Sequence, residues 1–265
     1  MRKRLYLKPG VTPEQALERL RPLLIEAGNV RAERDQTTAY LRWANHVETQ
    51  LSAHSRDPEL GTVLLTNRYW QMLRSPPTGE LALTSVNAEL DLQIRALGDL
   101  IIDLEERIAA ADAGPGDIVV LDTNVLLHSM PPDQIPWPQE LGREQIRLVV
   151  PLRVVEELDA KKWSGSGVIG ERARRLLPML ERLVGDSGQP GRVRENTTIE
   201  VPVNRLGLTR FQDADAEVLA TSNELVQLTG RPAILVTADT GMRLRARAQG
   251  LTAIRLAEKY DRSRG

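Results

Sequence analysis

The stretch DIVVLDTNVLL, residues 117–127, sets four consecutive apolar residues directly before an acid. Ile118 to Leu121 is the short apolar run expected of a strand buried on both faces of a parallel sheet. Asp122 follows at its carboxyl end, where Gly, Asn or Ser would end a strand equally well. Leu148-Val149-Val150 and Ile234-Leu235-Val236 repeat the run, and Ala253-Ile254-Arg255-Leu256 reads as a weaker edge strand. The alternating TTIEVPV between Asn196 and Val203 adds a further candidate, whereas the Gly-rich, polar stretch from Gly185 to Arg194 reads as a loop. Helical patterns over 152–163, 168–184, 213–228 and 242–248 separate these strands. Strands alternating with helices imply right-handed crossovers and an α/β domain with helices on both faces of a parallel sheet.

In such a sheet, ligands gather beyond the carboxyl ends of the strands. Asp122 occupies that position after IVVL, and Asp239 occupies it after ILVTA. Asp213 and Asp215 open the helix that continues Glu217-Val218-Leu219-Ala220, and Glu156, Glu157 and Asp159 lie in the helix after Pro151. Each acid alone has a plain structural use, as a helix cap or as part of a solvated helix face. Together, carboxylates meeting at one sheet edge repel one another unless protonated or neutralised by a cation. Oxygen-only ligands suit Mg²⁺ or Mn²⁺, and a chain with no cysteine and three histidines is a poor zinc site. Two such ions, held about 3.5–4 Å apart, activate water and stabilise a leaving phosphate oxygen.

Four motifs, in order, resemble the PIN domain family: LDTNVLL at 121–127, PLRVVEELDAKK at 151–162, DADAEVLA at 213–220 and LVTADTGMRLRARAQG at 235–250. The second is most similar to the form fused to PhoH-like ATPases. The resemblance runs from Asp117 to Tyr260. It implies a PIN-like three-layer domain with a central parallel sheet, and a metal-dependent nuclease whose acidic ligands are Asp122, Glu157, Asp215 and Asp239. Asn124 and Thr237 match polar positions that support the acids. Asp213 competes with Asp215 for the third place, as Glu156 does with Glu157. The segment from Gly185 to Arg210 is longer than minimal members of the family need.

The preceding half of the chain follows a different pattern. From Thr12 to about Asp112 it is helical, opening on Thr12-Pro13-Glu14-Gln15 with a capping Thr, Pro at the first position and Gln three residues on. Leu17, Leu20 and Leu24 form an apolar stripe, with Pro22 as a point of bending. Helices are expected over 30–54, carrying Tyr40, Trp43, Val47 and Leu51 on one side, and over 60–73, ended by Ser75-Pro76-Pro77-Thr78-Gly79. The longest covers 85–111, where Val86, Leu90, Ile94, Leu97, Ile101, Leu104 and Ile108 make a heptad seam. The seam either packs on the earlier helices or pairs with a second chain. Ala113-Gly114-Pro115-Gly116 is the expected hinge, giving an all-helical domain over 1–113 and the α/β domain over 117–260.

Hydrophobic residues at 41% and charged residues at 27% describe a folded, soluble chain. The 35 basic residues balance 36 acidic ones, so any nucleic acid must be held by local basic patches or metal ions. MRKRLYLKPG lacks the apolar core of a signal peptide, and no stretch approaches the roughly 18 apolar residues of a membrane span. A cytoplasmic protein is expected. Lys161, Lys162 and Trp163 precede a Gly-Ser loop, offering cations for phosphate and a ring for an unpaired base; Arg172 and Arg243 add guanidinium groups. The resemblance makes single-stranded or structured RNA the expected substrate, cut by an RNA-processing or defence factor or by a toxin of a toxin–antitoxin pair. Such toxins are usually a lone PIN domain, unlike this chain. A homodimer through helix 85–111 and a regulatory protein are the other partner expectations. The competing readings are a PIN fold that binds or scaffolds without cutting, and a DNA nuclease of flap-endonuclease type.

Overall fold

A computed structural model describes residues 4–77, 79–112, 114–164, 167–184, 190–202 and 213–262. Thr78, Ala113, Gly165-Ser166, Gly185 to Gln189 and Val203 to Gln212, on which several expectations fell, lie outside the described residues. The chain divides into two compact units, Met1–Ile108 and Ala109–Gly265.

The first unit is helical. Helix α1 (Pro13–Val30) starts at the expected capping box, in which Thr12 and Gln15 bond each other's backbone N–H, and it continues through Pro22. Its apolar stripe passes through Leu17, Leu20 and Leu23, with Leu24 only half-buried. The second helix is shorter than its pattern predicted: α2 (Gln36–His54) begins only after Asp35, whose carboxylate accepts the Thr38 N–H at 3.1 Å. The expected 60–73 helix is split into a 3-10 turn at Gly61–Leu64 and α3 (Asn67–Arg74), because Thr66 caps a new start at the Arg68 and Tyr69 N–H groups. Helix α4 runs from Glu80 to Ala111, five residues longer at its start than expected.

Along α4, Val86, Leu90, Leu97, Ile101 and Leu104 are buried within the unit, while Ile94 and Ile108 are half-buried. Polar contacts fix the helix against its neighbours. Gln93 donates to the Tyr40 hydroxyl at 2.6 Å, Thr66 donates to Glu89, Arg21 pairs with Glu105 at 2.5 Å, and buried Arg107 donates to the Leu5 carbonyl.

The second unit is the α/β domain. Its strands are β1 (Asp117–Leu121), β2 (Ile146–Val149), β3 (Gly191–Arg194), β4 (Thr197–Glu200), β5 (Ala233–Val236) and β6 (Thr252–Ile254). They form one sheet in the order β3-β4-β2-β1-β5-β6, parallel throughout except for β3 against β4. The helices are α5 (Thr123–His128), α6 (Trp137–Leu141), α7 (Leu152–Ser164), α8 (Val168–Val184), α9 (Ala214–Thr229) and α10 (Thr240–Ala248). Central β1 is inaccessible to solvent from Ile118 to Leu121, as its unbroken apolar run required. Each of those side chains contributes about 1.5–3 kcal/mol by leaving water.

Strand β3 corrects the expectation of a loop over Gly185 to Arg194. Arg192 and Arg194 face solvent on either side of half-buried Val193, a charged edge strand that hydropathy alone hides. Asn196, with φ of 56°, makes the tight return to β4. Gly191 is required where β3 meets the end of α8, since a Cβ there would lie 1.4 Å from the Leu183 carbonyl oxygen. Beneath β2, Arg147 is fully buried inside the domain. It donates to Glu200 of β4 at 3.0 and 2.6 Å and to the carbonyls of Ala111 and Ala110 at 2.5 and 3.5 Å. Among the described residues no helix is long and apolar enough to cross a membrane.

Candidate metal centre at the carboxyl ends of β1 and β5

The chain leaves β1 toward β2 on one side and later returns to lay β5 on the other. This change of direction opens a crevice at the carboxyl ends of β1 and β5. Asp122 and Asp239 stand at its two sides. The Asp122 N–H donates to the Val236 carbonyl at 3.2 Å, and the Thr237 N–H donates to Ile254 at 3.0 Å, so sheet pairing holds both strand ends in register.

Asp122 is buried, at 3% exposure. It occupies the N-cap position of α5, yet its side chain makes no capping hydrogen bond. The fully buried Thr237 hydroxyl donates to Asp122 Oδ2 at 2.8 Å and accepts the Asp239 N–H at 3.1 Å, joining the Asp122 side chain to the Asp239 backbone. Burial pushes the Asp122 carboxyl above its ordinary range; the hydrogen bonds from Thr237 and the Thr123 N–H pull it down, and the charges of Asp215 and Glu157 push it up again. Asp215 and Glu157 are therefore the acids whose charges act on Asp122.

This geometry separates the competing pairs. Glu157 accepts a hydrogen bond from the Thr123 hydroxyl at the start of α5, while Glu156 is turned to Arg153 at 3.7 Å. Asp213 is the N-cap of α9: its Oδ1 accepts the Asp215 N–H at 3.1 Å and its Oδ2 meets Arg245 at 3.2 Å. Asp215 meets the other arm of Arg245. Asp239 is exposed and caps α10, accepting the Met242 N–H at 2.7 Å. Thr237, expected as a supporting residue, is hydrogen-bonded to Asp122 and to the Asp239 backbone. Asn124 is half-buried in the first turn of α5 and makes no side-chain hydrogen bond among the described residues.

Each acid is thus turned to a local partner, and among the described residues no three His, Asp or Glu side chains stand close enough together to hold one ion. The donor chemistry nonetheless suits a divalent cation, since it consists of carboxylates alone and burial disfavours the charged form of Asp122 unless a cation is near.

The basic residues divide into two kinds. Trp163 is 80% exposed at the end of α7, with the Lys162 ammonium 5.1 Å from its ring centroid, and Lys161 is also exposed. Arg172 instead braces the carbonyls of Leu127 and Arg262 at 2.9 and 3.0 Å. Arg243 holds those of Thr237 and Ala238 at 3.0 and 2.8 Å and the Thr240 hydroxyl at 2.9 Å. Their apparent service to a ligand was legible in the sequence only as charge. Two contributors to the crevice, Thr123 and Arg245, had no distinguishing signal: one sits in the first motif without a role, the other among several arginines of α10.

An acid-lined crevice at the switch point of a mostly parallel sheet defines a class of α/β domain suited to cation-assisted chemistry. The PIN domain family model matches residues 119–257, and this chain belongs to that family. The family is in general one of nucleases that use divalent metal ions. The chain is 32% identical over 153 residues to Protein PhoH2 of Bacillus subtilis, a match covering 51% of this chain and 32% of that protein. It is 34% identical over 143 residues to Protein PhoH2 of Thermobispora bispora, covering 51% and 30%. It thus spans about a third of the length of these curated relatives. A solved domain of a functionally unknown protein from Methanocaldococcus jannaschii aligns with 54% of this chain and 92% of its own at 22% identity and a TM-score of 0.35.

Proposed function

We propose that this chain is a metal-dependent endoribonuclease that hydrolyses phosphodiester bonds of single-stranded RNA, with Asp122, Glu157, Asp215 and Asp239 holding Mg²⁺ or Mn²⁺. The observation that carries the reading is the burial of Asp122 at the strand end, its carboxylate aimed by Thr237 and withheld from helix capping. When bound, the ions would lower the pKa of water toward neutrality and stabilise the departing phosphate oxygen, so no protein nucleophile is required. Thr237 orients Asp122 and fixes the Asp239 backbone, while Thr123 orients Glu157. The exposed Trp163 supports a single-stranded nucleic acid as the substrate: one face of its ring can stack on an unpaired base, with Lys161 and Lys162 beside it for phosphate, while the choice of RNA comes from the family resemblance.

A second reading, a PIN fold that binds RNA without cutting it, draws on the separation of the acids in this conformation. One experiment distinguishes the two. Purified chain is incubated with a single-stranded RNA oligonucleotide and Mn²⁺, alongside Asp122→Asn and Asp239→Asn, with a flapped DNA duplex as a parallel substrate. Internal cuts in the RNA by the unsubstituted chain, lost in both variants, are expected. RNA left equally intact by all three proteins, with no Mn²⁺ binding by calorimetry, overturns the proposal; cleavage of the DNA alone replaces it with the flap-endonuclease reading.

A further inference from the structure

Arg245 brings a positive charge to the acids at the start of α9. Its Nη1 donates to Asp213 Oδ2 at 3.2 Å and its Nη2 donates to Asp215 Oδ2, so one guanidinium from α10 bridges both acids at the start of α9. Among the described residues, Asp122, Glu157 and Asp239 meet no Lys, Arg or His. Among the described residues, Arg245 is therefore the cation paired with an acid of the proposed ligand set, Asp215. Its side chain is 45% exposed and that of Asp215 37%, so the pair is wetted and readily broken. The two acids are not equivalent toward it. Asp213 is held a second time by its cap to the Asp215 N–H, whereas Asp215 is the acid whose charge acts on Asp122.

We propose that Arg245 is an exchangeable positioning cation. It holds Asp215, would yield that carboxylate to a divalent ion competing for it, and would stay tethered by Asp213 with one arm released toward substrate phosphate. The proposal rests on the metal-site reading above. It draws on one contact: Asp215 is turned to Arg245, so a cation and Arg245 would compete for the same carboxylate. A guanidinium suits the exchange, since its planar fork can serve a carboxylate and a phosphate oxygen through separate N–H groups.

The sign of one measurement separates this role from simple bracing. If Arg245 competes with the ion, Arg245→Gln tightens Mn²⁺ binding, by roughly three- to tenfold at physiological salt, because a competitor and a like charge leave together. Arg245→Lys retains the charge and stays near the unsubstituted chain. If Arg245 only braces α9 against α10, both substitutions loosen the site and weaken Mn²⁺ binding. Isothermal calorimetry on the full chain, without RNA, reads this directly. A second measurement needs no stable variant at the acid cluster: in the unsubstituted protein, Mg²⁺ should shift the Arg245 Nε–H resonance, assigned by its loss in Arg245→Lys. Binding unchanged or weakened in Arg245→Gln, or a resonance indifferent to Mg²⁺, overturns the role of Arg245 alone. Absence of Mn²⁺ binding in every protein overturns the metal site and this inference together.

Discussion

Replacing Arg147 with Met should destabilise the α/β unit by about 3–5 kcal/mol, the usual cost of removing one member of a buried, hydrogen-bonded ion pair. The magnitude follows from the site. Arg147 is inaccessible and Glu200 is 7% exposed, so solvent screens neither charge effectively. Arg147→Met takes the buried guanidinium away from the Glu200 carboxylate and from the Ala110 and Ala111 carbonyls. Glu200→Met leaves the reverse imbalance, a buried guanidinium, and should cost a similar amount. The double variant removes both charges and retains two apolar stems of matching length. Its residual cost is that of the carbonyls, about 1–3 kcal/mol. The two single losses should therefore fail to add by several kcal/mol. Urea denaturation followed by tryptophan fluorescence gives each value, since Trp137 is buried in the same unit. Either single substitution costing under about 1 kcal/mol, or a double cost equal to the sum of the singles, would refute the reasoning, because a solvated pair behaves that way.

Thr237→Val preserves shape but removes the hydroxyl between Asp122 and the Asp239 N–H, and should lower Mn²⁺ affinity or cleavage about 10–100-fold with little change in melting temperature; unaltered affinity and rate count against Thr237 as the organiser of the crevice. Trp163→Ala should weaken binding of a single-stranded RNA oligonucleotide at least about fivefold, by loss of stacking, while leaving stability unchanged because the ring is exposed. Equal anisotropy titrations for the two proteins reject the stacking platform. Light scattering should return the mass of one chain, 29.5 kDa, because most of the α4 seam is buried within its own unit. A mass twice as large restores the dimer arm.

Composition and periodicity carried much of the architecture. Runs such as IVVL and ILV are too apolar and too short for anything except buried strands, and their alternation with helical patterns required parallel crossovers. Capping chemistry placed the start of α1, because Thr12, Pro13 and Gln15 act on their own backbone. The breaks at Asp35 and Thr66 were misread, since apolar spacing continues across them while a local side chain captures the N–H groups of a new helix. Strand β3 went unseen because an edge strand can be charged on one face and leave almost no hydropathy signal.

For the crevice, the sequence by itself determined which acids follow which strands, because a strand end is a local property and the motifs are contiguous. Only the tertiary structure decided how those acids are used. It turned Glu157 to Thr123 and Glu156 to Arg153, tied Asp213 into a helix cap, and paired Asp215 with Arg245. It also placed Arg147 and Glu200, 53 positions apart in sequence, in a single buried pair. The physical reason is the same in each case. A carboxylate's partner and charge state depend on what the fold brings within about 3 Å and on how much water it excludes, and neither is encoded in the residues adjacent along the chain.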